Sequence, residues 1–137
     1  MAGIERFGVS LESGLLDRFD KMLKERNYTN RSEAIRGLIR EWLVKKAWQS
    51  GTKIAGTITL VYGHHHRELV KRLTDIRDDF QKNIISAQHI RPDRNNCMEI
   101  IAVNGTPSEA ESLSDLLRPQ KDVKHGALFM TSTGDGL

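Results

Sequence analysis

The sequence predicts an α+β chain of two modules, a β-α-α unit in residues 1–50 and a β-α-β-β-α-β unit in residues 51–137. Three observations predict it. Apolar residues recur at every second position between Ile4 and Leu11, then at every third or fourth from Leu15 onward, so a strand pattern gives way to a helix pattern. A Gly51-Thr52 break ends the second helical stretch. Beyond it, four extended runs enclose two helical ones.

Each element follows from its own spacing. Phe7, Val9 and Leu11 on one side of Ile4–Leu11, with Arg6, Gly8 and Ser10 on the other, predict a short strand. Leu15, Leu16, Phe19, Met22 and Leu23 make one face of a helix over residues 12–26. Asn27-Tyr28-Thr29-Asn30 breaks it, and Asn30 with Glu33 three residues later predicts a capping box. The next helix carries Ala34, Ile35, Leu38, Ile39, Trp42 and Leu43 and fades toward Ser50.

In the second module, Ile54, Ile58, Leu60 and Tyr62 alternate with Thr57, Thr59 and Val61 as a strand over residues 53–62. Leu69, Leu73, Ile76 and Phe80 repeat at helical spacing. Extended runs at residues 83–91 and 97–103 flank the turn residues 92–96 and predict a hairpin. Ala110, Leu113 and Leu117 mark a helix over residues 106–118, and Val123, Ala127 and Phe129 set the apolar side of a last strand over residues 123–131. That order is the ferredoxin-like split, four antiparallel strands with two helices on one face.

Composition narrows the function. The 137 residues are 38% hydrophobic and 28% charged, a balance expected of a folded soluble chain. No apolar run approaches the roughly 18 residues that span a bilayer, and the first ten residues lack a secretory pattern, so a cytoplasmic location with no membrane partner is expected. Cys97 is the single cysteine, which excludes an internal disulfide and any multi-cysteine zinc module within one chain. Residues 1–50 hold ten Lys/Arg against seven Asp/Glu, whereas the remainder holds eleven of each. The whole excess of +3 therefore lies in the first module, which suggests a polyanion partner there, although surplus lysine on a solvated face gives the same count.

An isolated N-terminal strand has unpaired edges, and pairing with a second copy would satisfy them. The resulting two-stranded ribbon would expose Arg6, Gly8 and Ser10 from each chain and has the width of the DNA major groove. Arg6 is the sharp base reader of the three, able to engage guanine; Gly8 permits close backbone approach, and Ser10 serves either kind of base pair. Asn30, Arg31 and Ser32 gather donors at a helix start, where the helix dipole favours a phosphate.

These features together resemble the ribbon-helix-helix repressors. Residues 25–36, ERNYTNRSEAIR, the Gly51-Thr52 hinge, the LVYGHH stretch and the AQHI and CMEIIAVNG stretches further resemble the nickel-responsive regulator NikR family over almost the whole chain. The resemblance implies a ribbon-helix-helix domain for DNA binding and dimerisation in residues 1–50. It implies a ferredoxin-like, ACT-type domain for regulation and tetramerisation in residues 51–137. It also implies a homotetramer, a dimer of dimers, on a pseudo-palindromic double-stranded operator. Arg67 and His66 fall where the family has a basic pair associated with phosphate contact, and His64 matches a family histidine.

The family's nickel site is implied to be square-planar, three histidines and one thiolate, with one histidine from a neighbouring subunit. His89 and Cys97 match two of those positions; the other two are Arg91 and Asp78 here. Arginine has no lone pair to offer a metal, so no cofactor is expected to be required, with weak nickel or other divalent metal binding by Asp78, His89 and Cys97. Arg91 and Asp78 are opposite in charge, which suggests an inter-subunit salt bridge in place of the metal. Glu33 matches a cation-binding position whose acidic partner one turn later is Gly37 in this chain.

Rival readings remain on the same residues. A remodelled metal site would keep metal-dependent repression, and an ACT-type sheet could instead bind a small organic ligand. Three consecutive histidines, His64 to His66, cannot all face one ion on a helix. An enzyme with Cys97 as nucleophile and His89 as base would need an oxyanion donor and an orienting group that the sequence does not supply, so no catalysis is expected.

Overall fold

Helices form where the apolar spacing widens, α1 at Ser13–Glu25 and α2 at Arg31–Ser50. The structure, a computed structural model, describes residues 3–137. Contacts divide it into two units between Glu41 and Trp42, inside α2.

In the first unit α1 stops at a left-handed residue, Asn27, with φ of 58°. Tyr28 N–H donates to Leu23 O at 2.9 Å and Asn27 N–H to Lys24 O at 3.3 Å, so the helix's last carbonyls are satisfied by a Schellman motif. Asn30 then caps α2, its Oδ1 accepting the Glu33 N–H at 2.9 Å. Only half of the expected capping box forms, because the Glu33 carboxylate accepts from Arg36 one turn on rather than reaching back to Asn30.

Among the described residues of this unit, Leu23 and Ala34 are the buried apolar ones. The expected strand Ile4–Leu11 carries no regular structure in the single chain, and Ile4, Phe7, Val9 and Leu11 are exposed. A strand is defined by its ladder, and one extended segment has no edge to pair with inside its own unit.

The second unit is a four-stranded antiparallel sheet of β1 (Ile54–Gly63), β2 (Ile84–Ile90), β3 (Asn96–Gly105) and β4 (Val123–Thr131), in the order β2-β3-β1-β4. Helices α3 (Arg67–Asp78) and α4 (Pro107–Leu117) link the strands. Leu69, Leu73, Leu113 and Leu117 from the helices are fully buried with Ile54, Ile58, Leu60, Ile101 and Val103 from the two central strands. Each such side chain contributes roughly 1.5–3 kcal/mol by leaving water, which makes this layer the main source of the unit's stability. The α+β expectation and its β-α-β-β-α-β order hold.

One face assignment is corrected. Val123, Leu128 and Met130 of β4 pack on the core, whereas Phe129 is 70% exposed and Ala127 also faces out. The pairing of β1 with β4 shifts between Val61 and Tyr62, so the parity set at Val123 does not continue along the strand. Among the described residues, no helix is long and apolar enough to cross a membrane.

Candidate functional site

Two groups of expected functional residues are built by these units. In the first unit, Arg31 opens α2 and its guanidinium is engaged by α1, Nε donating to Asp20 Oδ1 and Nη2 to Asp20 Oδ2, both at 3.0 Å. The bidentate pairing holds the Asp20 carboxyl below its ordinary range and raises the Arg31 guanidinium. Both side chains stay solvent-accessible, so the pair can open at small cost. A cleft of about 660 Å³ lies here, lined by Asp20, Lys24, Tyr28, Asn30, Arg31 and Ser32. The cap leaves Asn30 Oδ1 occupied, while Ser32 is exposed beside it. Arg6, Gly8 and Ser10 lie exposed on the unpaired N-terminal segment, and a Cβ on Gly8 would meet nothing within 4 Å.

In the second unit the antiparallel register sets the positions. Tyr62 stands opposite Cys97, and His89 stands opposite Glu99. Cys97 is buried, and its Sγ lies 3.7 Å from His64 Nδ1. His64 is held below the ordinary histidine value, first by loss of water and then by the charges of Arg91, His65 and His89.

His89 faces different neighbours. Its Nδ1 is 3.4 Å from Tyr62 Oη and 3.7 Å from Glu99 Oε1. Glu99 is buried at 4% exposure, and its two oxygens are both engaged: Tyr62 Oη donates to Oε1 at 2.6 Å and Arg77 Nη1 to Oε2 at 3.3 Å. Burial first, and then the Glu99 carboxylate, push the Tyr62 hydroxyl far above its ordinary value, so it remains a donor.

The remaining expected residues lie apart in the single chain. Asp78 lines a shallow cleft of about 250 Å³ with Thr74, Arg77, Gln81, Ile84 and Ala87. Arg91 donates from Nη2 to Arg94 O at 2.9 Å, across the β2–β3 turn. Arg67 is exposed at the first turn of α3. Among the described residues no three His, Cys, Asp or Glu side chains converge on a point that could hold a metal ion, so Asp78, His89 and Cys97 form no such set within one chain.

Sequence reading missed Glu99 and Arg77 as members of the site and took Tyr62 only as an apolar strand residue. A signal was present. Glu99 occupies an inward position of β3, in phase with Cys97, Ile101 and Val103, where a carboxylate needs a partner. The partner, Arg77, is 22 residues away on α3 and has no local sequence mark.

The profile described as NikR C terminal nickel binding domain matches residues 55–131, and that described as Ribbon-helix-helix protein, copG family, matches residues 5–46. A protein of Syntrophus aciditrophicus named "Putative nickel-responsive regulator" is 50% identical over 134 residues, which cover 98% of each chain. Proteins of the same name from Solibacter usitatus and Pyrococcus furiosus are 47% and 46% identical. The first alignment covers 98% of this chain and 97% of its relative, and the second 96% of each.

Proposed function

The chain belongs to the family of nickel-responsive regulators, and from that premise we propose an operator-binding regulator whose response to nickel is weak or absent. As a member of that family it is a DNA-binding transcription regulator and not an enzyme. Residues 1–50 are the DNA-binding and dimerisation part and residues 51–137 the regulatory and tetramerisation part. Two chains pair their Ile4–Leu11 segments into a ribbon in which Arg6 reads bases, assisted by Gly8 and Ser10. The exposed Phe7, Val9 and Leu11 support this reading, because a second copy would cover apolar groups that the first unit leaves in water. Asn30, Arg31, Ser32 and Arg67 contact phosphates, and a dimer of dimers meets a pseudo-palindromic operator.

The weak response rests on Arg91. Square-planar nickel needs four in-plane lone pairs, and a guanidinium supplies none while bringing a permanent positive charge. The donors left, Cys97 and His89, are turned to His64 and to the Glu99 carboxylate respectively. The residues of this chain therefore do not fit the four-ligand nickel set, although a weaker site using His89, Cys97 and Asp78 remains open to Ni(II) or Zn(II). A pairing of Asp78 with Arg91 of a neighbouring subunit would connect the same positions without an ion.

Operator binding measured with a chelator, without it, and with added nickel tests this directly. The expected affinities agree within a few-fold. A many-fold rise on nickel addition, together with a thiolate-to-metal absorption band at one ion per chain, would overturn it.

A further inference from the structure

We propose that Arg77 is a built-in counter-cation, a positioning residue that closes the buried polar network beneath His89 and makes that network complete without a divalent ion. The inference rests on the weak-nickel reading above and extends it to residues outside the expected ligand set. The observation behind it is that both oxygens of Glu99 have a partner. Its carboxylate is 5% exposed at the side chain, one oxygen takes the Tyr62 hydroxyl at 2.6 Å, and the other takes the Arg77 guanidinium at 3.3 Å.

A buried carboxylate with only a tyrosine for company would be an uncompensated charge, and a mobile cation would be drawn to it. Arg77 removes that demand permanently. Its own side chain is only 21% exposed and is steered by a second bond, from Nη2 to Thr74 Oγ1 at 3.2 Å, one turn earlier on α3. Two attachments fix the fork's direction, so the charge sits at one place rather than sweeping the surface.

The consequence reaches His89 through two contacts. Tyr62 Oη lies 3.4 Å from His89 Nδ1 and Glu99 Oε1 3.7 Å, so the carboxylate that Arg77 holds reaches the imidazole through the tyrosine hydroxyl it binds. With Nδ1 directed toward the network, one edge of the half-exposed ring faces protein groups. Arg77 thus connects α3 to the central strands β1 and β3 and to the edge strand β2 through one carboxylate.

The test uses the full chain in five forms: unaltered, Arg77→Met, Arg77→Lys, Glu99→Gln, and Arg77→Met with Glu99→Gln. Thermal midpoints are read in chelator and again with increasing Ni(II), Zn(II) or Mn(II), and the His89 ring nitrogens are followed by NMR. Arg77→Met is expected to lower the midpoint by about 5 °C or more in chelator. It should regain part of that loss as divalent ion is added, while Arg77→Lys should lose less. The double variant should be more stable than Arg77→Met alone, because neutralising Glu99 removes the orphaned charge. The His89 ring signals should move in Arg77→Met and be largely restored in Arg77→Lys.

Additive losses in the double variant, or His89 signals unmoved by Arg77→Met, would overturn the proposal. An unaltered chain whose midpoint climbs steeply with nickel would instead overturn the weak-nickel reading, whatever the Arg77 cycle gives.

Discussion

Tyr28 fills the space into which a side chain at position 37 would grow: a Cβ on Gly37 would fall 2.6 Å from Tyr28 Oη and 3.2 Å from Cζ. Gly37 stands where the NikR resemblance calls for an acid one turn after Glu33. The structure accounts for the glycine by packing, since the tyrosine after the Asn27 turn lies over that turn of α2.

Replacing Gly37 by Ala should therefore gain less than the ~1 kcal/mol that Ala offers over Gly inside a helix, or should destabilise. With Tyr28→Leu also present, the same substitution should return that gain in full. Urea unfolding of the four forms measures the coupling, and an identical effect of Gly37→Ala in both backgrounds removes the packing explanation.

Arg6 and Arg31 are assigned different work on DNA, and their variants should differ in kind. Arg6→Ala should lose affinity for the operator by about 1–3 kcal/mol while leaving a scrambled duplex nearly unaffected. Arg31→Ala should weaken both duplexes alike and reduce the salt slope by about one. Asp20→Asn should tighten both, because the guanidinium is no longer shared with a carboxylate. Fluorescence anisotropy across a salt series separates these outcomes; equal losses on both duplexes for Arg6→Ala would strip it of its reading role.

Among the described residues Asp78 and Arg91 make no ion pair with each other, and Arg91 donates to the Arg94 carbonyl. If they meet across subunits of the proposed tetramer, Asp78→Asn and Arg91→Gln should each loosen it, and the double variant should lose no more than either single one. Sedimentation over a dilution series reads this. Losses that simply add would place the two side chains in separate surroundings.

Thr106 and Glu109 form a full capping box at the start of α4, each side chain accepting from the other's backbone N–H, at 3.2 Å to Thr106 Oγ1 and 3.0 Å to Glu109 Oε1. Thr106→Ala should cost about 1 kcal/mol. The Thr106 N–H first, then Asn83 and Lys82, bring the Glu109 carboxyl down to about 2 from its ordinary 4.5. A depressed folded value means stabilisation that is whole above about pH 4.5 and disappears as pH falls through about 2. Glu109→Gln should flatten stability across that window, and an unchanged acid profile would count against the box.

Much of the fold was legible locally. The strand-to-helix change of period, the Asn30 cap and the alternation of β1 and β3 each depend on neighbours a few residues away, so spacing located the four α-helices and four sheet strands of the described residues, but not the 3-10 turn at Gln81–Asn83, and it placed a strand over residues 4–11 that the single chain does not form. The Thr106-Pro107-Ser108-Glu109 box was equally readable and was overlooked, although Thr and Glu three apart before an apolar run is its sequence mark. Of the site, His89, Cys97, Asp78 and Arg91 could be picked out because a family pattern marks those positions. Arg77 could not, since its value depends on a strand partner it meets only in the folded chain.

The amino-acid order by itself determined the family, the β-α-β-β-α-β order of the second module and an arginine at residue 91, where the NikR resemblance implies a histidine. Tertiary structure alone decided that Phe129 faces water, that Tyr28 closes over Gly37, and that Arg77 neutralises Glu99. The physical reason is range. Helical and strand periods are imposed by backbone geometry over a few residues, whereas a shifted ladder or a buried charge pair joins groups tens of residues apart, and only closing the sheet brings them within reach.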